Sequence, residues 1–416
     1  MTLSWTNWSG NITCTPQAVV TPHSEAEIVE VVRQASRRGA SIRVAGTGHS
    51  FVPLCATDGV LLSLDGLQGI VRPHPPAPSP ETEKPVSGEG ELATIWAGTK
   101  IHQMGEPLWE LGLAMANMGD IDRQAIAGAI STGTHGTGHT LGSISTQVVG
   151  LRLVTATGEI IDCSPTVEPA IFKAAQVALG ALGIISQVTL RLLPAYQLHE
   201  ITWVAPFDEC VAQLEEQIQT NRHFEFFWVP SEDVCAMKTL NPTDLEKLPA
   251  PPAKPEVTGR LTRYIREERI DRSYRIFPSE RNIRFNEMEF AVPAANGLDC
   301  LYEIRALMQT KHSDVLWPIE YRTLAADDIP LSPAYGRATV TLSIHQAAEL
   351  PYQAFFADAE AIFRNHHGRP HWGKIHSHTA DALGKLYPQW DQFQRVRQRL
   401  DPTGVWLNDY LRSIFV

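Results

Sequence analysis

The sequence predicts an α+β protein of two domains, 1–195 and 196–375, followed by a C-terminal segment, 376–416. Three observations predict this. The chain has 416 residues, and roughly 150 residues per domain gives two or three domains. Strand and helix signals alternate up to Pro194, after which longer helical stretches separate the strand-like ones. Apolar residues make up 43% and charged residues 19%, the balance of a chain that buries a core. The net charge, 35 basic minus 46 acidic or −11, speaks against nucleic acid or an anionic membrane as partner. No apolar run is long enough to span a bilayer. The start, MTLSWTNWSG, has neither the basic stretch nor the apolar core of a signal peptide. None of the six cysteines sits in a C-x-x-C pair, so neither a metal cluster nor a disulfide framework is expected. A reducing cytoplasm is the expected setting. The two Asn-x-Ser/Thr triplets at Asn7 and Asn11 then read as chance matches.

Taken in order, Ala18-Val19-Val20 is a short apolar run that stops at Thr21-Pro22. Ser24 and Glu27 make a capping-box pattern ahead of Ile28, Val31, Val32 and Ala35, which fall on one helix face and end at Gly39. Residues 41–45 read as a buried strand that runs into Gly46-Thr47-Gly48-His49-Ser50. Strands are predicted at 59–64 and 92–97. The stretch from Arg72 to Val86 between them holds six prolines and is predicted to be an exposed loop. Residues 101–111 suggest a short helix ended by Gly112. Eight small or hydroxyl residues lie between Ala127 and Gly136, a composition that lets backbone approach a ligand closely. Residues 148–162 and 184–193 read as two strands with a helix at 170–179 between them. Beyond Pro194 the strands are 199–204, 223–229, 286–292 and 338–345, and the helices 208–220, 297–310 and 352–365. Pro249 to Pro255 reads as a loose loop. The tail from Leu386 shows helix periodicity and then a short strand-like end.

Four motifs carry chemistry. A strand that runs into Gly46-x-Gly48 exposes successive backbone N–H groups, a nest suited to a pyrophosphate. The third glycine of the dinucleotide fingerprint is missing, so the motif alone is equally a tight turn with a polar His49. Gly133-Thr134-His135-Gly136-Thr137-Gly138, preceded by Ala127-Gly128-Ala129, suggests one extended ligand lying across both glycine runs. In Glu320-Tyr321-Arg322 the outer two side chains share a strand face; an exposed ion pair would look the same. Thr341, Ser343 and His345 share a face as well. Together with Glu320 and Arg322 they could floor a hydroxyl-rich pocket, although His345 alone could be a satisfied sheet histidine. In Gly368-Arg369-Pro370-His371-Trp372-Gly373-Lys374 the lysine is locally constrained, and composition alone assigns the stretch no role.

Gly46 to Ser50, Asn117 to Gly138, Glu320-x-Arg322 and His371-Trp-Gly-Lys374, in this order, resemble the flavin-dependent sugar oxidases of the vanillyl-alcohol-oxidase fold. Within them the chain is similar to the aldonolactone oxidoreductases (L-gulono-1,4-lactone and D-arabinono-1,4-lactone oxidases) and to the alditol oxidases, over nearly its whole length. The resemblance implies a PCMH-type FAD-binding domain and a substrate (cap) domain with a mixed or antiparallel sheet flanked by helices. It also implies that 376–416 returns to the FAD domain. FAD would lie against Val44, Ala45, Gly46, Thr47, Gly48, His49 and Ser50, with His49 matching the histidine bonded covalently to the flavin 8α-methyl group. Ala125, Gly128, Thr132, Gly133, Thr134 and His135 would line the cofactor, with Ile185 near its adenine end. Gly119 and Asp120 would fall beside the flavin ring. Many relatives carry serine or a similar small residue where this chain has Asp120, a departure that places a carboxylate near the reacting centre and leaves the substrate open.

By the same resemblance Arg322 and Lys374 would stabilise developing negative charge and Glu320 would orient the reacting hydroxyl. Ser343 and His345 would hold neighbouring hydroxyls, with His345 as candidate proton acceptor. The expected activity is hydride transfer from a carbinol carbon of an aldonolactone to FAD, with O2 as acceptor because Gly119 gives little steric cover. An open-chain alditol as substrate, or a dehydrogenase with another acceptor, is the alternative. A nicotinamide-fed flavin reductase would need a nicotinamide pocket, of which the sequence shows no sign. A non-catalytic binder would not need Glu320, Arg322 and Lys374 together. No metal site is expected.

Overall fold

The computed structural model describes residues 3–73, 91–245, 268–280 and 282–416. The proline-rich residues from 74 onward, expected as a loop, and the stretch Pro249 to Pro255 lie outside them. Three strands, Ala18–Val20 (β1), Ile42–Ala45 (β2) and Val60–Ser63 (β3), form a parallel sheet in the order β1-β3-β2. The helix Glu25–Arg38 (α1) crosses between β1 and β2. The Ser24 hydroxyl accepts from the N–H of Glu27, Glu27 accepts from the N–H of His23, and Gly39 closes the helix at φ 63. The capping box therefore holds, with its return bond one residue further out than the standard pattern places it.

A second, six-stranded sheet runs through Ile70–Pro73 (β4), Glu91–Trp96 (β5), Val148–Val154 (β6), Ile160–Cys163 (β7) and Ile184–Pro194 (β8) in the order β7-β6-β8-β5-β4, with the short strand Leu113–Ala114 paired to the end of β8. The span 148–162, expected as one strand, is two: Thr155 to Glu159 turns the chain, with Gly158 at φ 75, and β6 and β7 pair antiparallel. Helices Ile101–Glu110 (α2), Ile126–Ser131 (α3) and Pro169–Ala175 (α4) complete this half.

The second half is built on one eight-stranded antiparallel sheet. Its strands are Gln197–Pro206 (β9), His223–Val229 (β10), Val234–Thr243 (β11), Arg269–Arg272 (β12), Phe285–Pro293 (β13), Ile319–Leu324 (β14), Thr339–Ala347 (β15) and Arg369–Pro370 (β16), in the order β12-β9-β11-β10-β14-β15-β13-β16. Alternation gives it two unlike faces. Phe226, Trp228, Met237, Tyr321, Leu342, Ile344, Met288 and Phe290 point one way, into a core closed by helices Phe207–Thr220 (α5), Gly297–Thr310 (α6) and Gln353–Asn365 (α7). The other face carries charge and faces the first half.

The chain ends in three helices, Ala380–Leu386 (α8), Trp390–Leu400 (α9) and Asp409–Phe415 (α10). Trp390, Phe393, Leu400, Trp406, Leu411 and Phe415 join the core that holds Ile28, Ile42, Leu62 and Phe172. The strand-like end expected from sequence is helical instead. The Asn408 side chain accepts from the N–H of Leu411 and starts a last helix, an N-cap that outweighs the weak strand preference of Ile414, Phe415 and Val416.

Candidate active site

Two connected cavities meet at His49. The first, ≈ 930 Å³ with the solvent at its mouth included, is lined by Val44 to Ser50, Ala125, Gly128, Thr132, Gly180 and Ile185 among others. Gly48 sits at φ +72, which a glycine adopts without strain. A Cβ on Gly128 would meet nothing within 4 Å, so the missing side chain leaves open space beside the backbone. The N–H groups of Thr47, Gly48, His49 and Ser50 find no acceptor among the described residues. Unpaired N–H donors around an elongated glycine-lined groove fit a dinucleotide with a pyrophosphate.

The second cavity, ≈ 1420 Å³ with the solvent at its mouth included, shares His49, Ser50, Gln124 and Thr132 with the first. It brings together Gly119, Asp120, Thr134, His135, Glu320, Arg322, His345 and Lys374. Two predicted residues line neither cavity. Gly133 sits behind, on a smaller cavity of ≈ 270 Å³, and the Ser343 hydroxyl is turned to Glu289, to which it donates at 3.0 Å.

His49 stands 5.4 Å from the Trp8 ring. Burial, with Lys374 nearby, pushes its pKa down to about 4, so the imidazole is neutral near pH 7. The charged face of the sheet supplies the opposite wall. Strand register places Thr202, Lys238 and Glu225 in one row across β9, β11 and β10. Phe227, Glu320, Ser343 and Glu289 form another row across β10, β14, β15 and β13. Arg322 donates from Nε to Glu225 at 2.7 Å, lies 3.0 Å from Asp120, and pairs with Glu320. These partners hold the guanidinium charged, well above its usual range, against the burial that opposes it. Burial pushes Glu320 up to about 7; Arg322 opposes the rise, while Asp120 and Glu225 add to it. A carboxyl with this value exchanges protons near neutral pH.

Lys374 pairs with Glu287, and its ammonium lies 5.0 Å from the centre of the Phe51 ring. Burial works against the charge of Glu287, yet Lys374 and His345 hold it down at about 2. His345 donates from Nδ1 to the Pro318 carbonyl at 2.9 Å, leaving Nε2 on the cavity side, 3.6 Å from Glu287. His135 meets an acceptor at each nitrogen, the Gly136 carbonyl at 2.8 Å and Glu289 at 2.6 Å.

Sequence reasoning missed Lys238, Glu287, Glu289 and His371, which line the large cavity, and Glu225 behind it. One signal could have found four of them: charges set inside otherwise apolar strands, such as one in HFEFFWV and two in FNEMEFAVP, which a buried strand tolerates only with partners.

Comparison with known proteins agrees with this geometry. A family model described as D-arabinono-1,4-lactone oxidase matches residues 188–265 and 250–414, and one described as FAD binding domain matches 16–164. The chain is similar to L-gulono-1,4-lactone dehydrogenase of Mycobacterium tuberculosis (strain ATCC 25618 / H37Rv), 38% identical over 99% of this chain and 98% of that protein. It is 28% identical to L-gulonolactone oxidase of Bos taurus, over 98% and 97% of the two chains. It is 27% identical to D-arabinono-1,4-lactone oxidase of Yarrowia lipolytica, over 96% and 95%. Among solved structures, a solvent-stable cholesterol oxidase superposes with a TM-score of 0.84 at 18% identity, covering 100% of this chain and 98% of that one. That last likeness is one of fold.

Proposed function

Because this chain belongs to the D-arabinono-1,4-lactone oxidase family and is an FAD-dependent oxidoreductase, we propose that it oxidises a carbinol of an aldono-1,4-lactone of the L-gulono or D-arabinono type. The observation that carries this is the placement of Glu320, Arg322 and Lys374 in the cavity that continues into the glycine-lined groove at His49. FAD held by Val44 to Ser50, Gly119, Gly128, Thr132, Thr134, His135 and Ile185 would supply the two-electron acceptor for a hydride from the substrate carbon.

The chain's own groups do the rest. Glu320 accepts the hydroxyl proton once it is itself ionised, a role that sequence reasoning offered to His345. Glu320 is favoured by its pairing with Arg322 and its pKa of about 7; His345, anchored by its Nδ1–H to Pro318, accepts from a neighbouring hydroxyl through Nε2. Arg322 and Lys374 stabilise the negative charge that grows on the substrate oxygen as the proton and hydride part. Asp120, paired with Arg322, lines the polar end of the cavity.

His49 is proposed as the site of covalent flavin attachment. Its neutral ring, free of hydrogen-bond partners among the described residues, stands where the two cavities join. We further propose O2 as electron acceptor, reduced to H2O2, because Gly119 offers no side chain beside the cavity. The name of the M. tuberculosis relative favours the second reading, a dehydrogenase that passes electrons to another acceptor. A cytoplasmic setting is supported by six free cysteines; no helix of the described residues is long and apolar enough to cross a membrane.

The test is anaerobic flavin reduction by L-gulono-1,4-lactone, D-arabinono-1,4-lactone, xylitol and sorbitol, followed by admission of air. Lactones should bleach the flavin faster than alditols, and air should restore its colour with formation of H2O2. Bleaching by alditols alone refutes the lactone reading, and a reduced flavin that only a dye can re-oxidise makes the enzyme a dehydrogenase.

A further inference from the structure

Glu225 lies behind the wall of the large cavity, 3% exposed. Its two oxygens are divided between two cations. Oε2 accepts from Arg322 Nε at 2.7 Å, and Oε1 from Lys238 Nζ at 2.8 Å. Lys238 reaches on to Asp120 at 3.6 Å, and Asp120 returns to Arg322 at 3.0 Å. Arg322, Glu225, Lys238 and Asp120 thus close a ring of alternating charge, drawn from β14, β10, β11 and the loop after Gly119. Two cations and two anions make it neutral. Glu320 is the fifth charged member, paired with Arg322. Protonated, it leaves the cluster neutral; ionised, it adds one uncompensated negative charge in a buried place, which is costly.

We propose that Glu225, with Lys238 and Asp120, is a positioning frame: it fixes the Arg322 guanidinium and sets the pH at which Glu320 exchanges a proton with the substrate hydroxyl. This rests on the reading of Glu320 as proton acceptor. Carboxylate oxygens of Asp120, Glu225 and Glu320 lie within 4.8 Å of one another, as do the ligating atoms of Glu287, Glu320 and His345. Arg322 faces Glu320 from its own strand, Glu225 from β10, His345 from β15, Glu287 with Lys374 from the β13 side, and Asp120 from the loop. Among these groups Arg322 and Lys374 are the fixed cations, and Arg322, like Lys238, is already shared with Glu225 and Asp120. Like charge raises the proton affinity of a carboxyl, and Asp120 and Glu225 both act on Glu320 in that sense.

The experiment compares holoenzyme, Glu225→Gln, Asp120→Asn and Glu320→Gln by two measurements. One is the pH profile of kcat/KM for an aldonolactone. The other is 13C NMR of protein carrying carboxyl-labelled glutamate, in which the Glu320 signal is the one lost in Glu320→Gln. In Glu225→Gln the acid limb and the Glu320 titration midpoint should both fall, by about one pH unit. Asp120→Asn, whose change sits on a loop and not in the sheet, should shift them in the same direction and serves if Glu225→Gln does not fold. Reduced turnover with an unmoved midpoint would make Glu225 a scaffold residue and overturn the proposal, as would unchanged turnover with an unmoved midpoint. A holoenzyme that oxidises no lactone refutes the functional reading, while the 13C titration still decides whether the frame governs Glu320.

Discussion

At the scale of single residues the site turns on Arg322. Its charge is fixed before any substrate enters, by carboxylates that arrive from a loop and from two strands, so no reorganisation is needed when charge grows beside it. Arg322→Ala removes that cation and leaves Glu225, Asp120 and Glu320 facing one another. Turnover should fall by an amount worth at least ~2 to 4 kcal/mol of barrier, and near-normal kcat in a correctly folded variant would remove the residue from its assigned role. Glu320 gives a pH dependence with a definite sign. Its folded value, about 7, is above that of an unfolded glutamate, so kcat/KM should rise as pH climbs through about 7 and the base becomes ionised. Folding stability should move the opposite way over the same window. The unfolded chain has already released this proton at ~4.3, so raising pH from there towards 7 favours unfolding at this group. A kcat/KM profile flat between pH 5 and 8 would show that the proton goes elsewhere.

At the scale of elements, the large sheet separates its two tasks by alternation. Glu289 and Phe290 are neighbours in β13: one meets His135 in the cavity, and the other is stacked on Phe363 at 4.8 Å in the opposite core. Phe290→Ala opens a hole in a fully buried place and should cost ~3 to 5 kcal/mol. The expected reading is a lower urea midpoint with an unchanged m-value, and a loss under 1 kcal/mol would mean that the helices collapse onto the gap. The same alternation explains what the sequence allowed one to see. Helix α1 was legible because its cap, apolar face and terminal glycine all agree. The glycine turns and Glu320-x-Arg322 were legible because their residue types are rare in such patterns. The partners of Arg322 were not, since strand order decides them: Glu225 lies almost a hundred positions upstream of Arg322, and local sequence does not state that β10 and β14 are neighbours. Ser343 shows the converse. It shares a strand face with His345 as expected, but β13 lies next to β15 and Glu289 takes its hydroxyl.

At the scale of the whole molecule, the cofactor groove depends on the far end of the chain. Arg43, just ahead of the glycine turn, is 3% exposed and donates to the carbonyls of Leu54, Leu179, Gly180 and Trp406. Asn408 donates to the carbonyls of Pro53 and Ala56 at 2.7 Å each, and the N–H of Ile42 donates to Val405 at 3.0 Å. The segment between the last two helices therefore holds β2 and its turn in place. Burial lowers the pKa of Arg43 to about 10, with Cys55 and Asp401 opposing the fall, so it is charged at pH 7 among carbonyls from three segments. Replacing it with methionine fills similar space but strands those carbonyls, at roughly 1 to 3 kcal/mol for each left unsatisfied. Flavin retention makes this measurable. In His49→Ala the proposed covalent tether is gone, so FAD should leave on acid precipitation and melting temperature should rise with added FAD, as a ligand of the native state alone requires. Adding Arg43→Met to His49→Ala should lower the melting temperature without FAD and raise the FAD concentration needed to recover it. If the double variant recovers at the same FAD concentration as His49→Ala alone, the C-terminal clasp stabilises the fold without shaping the groove.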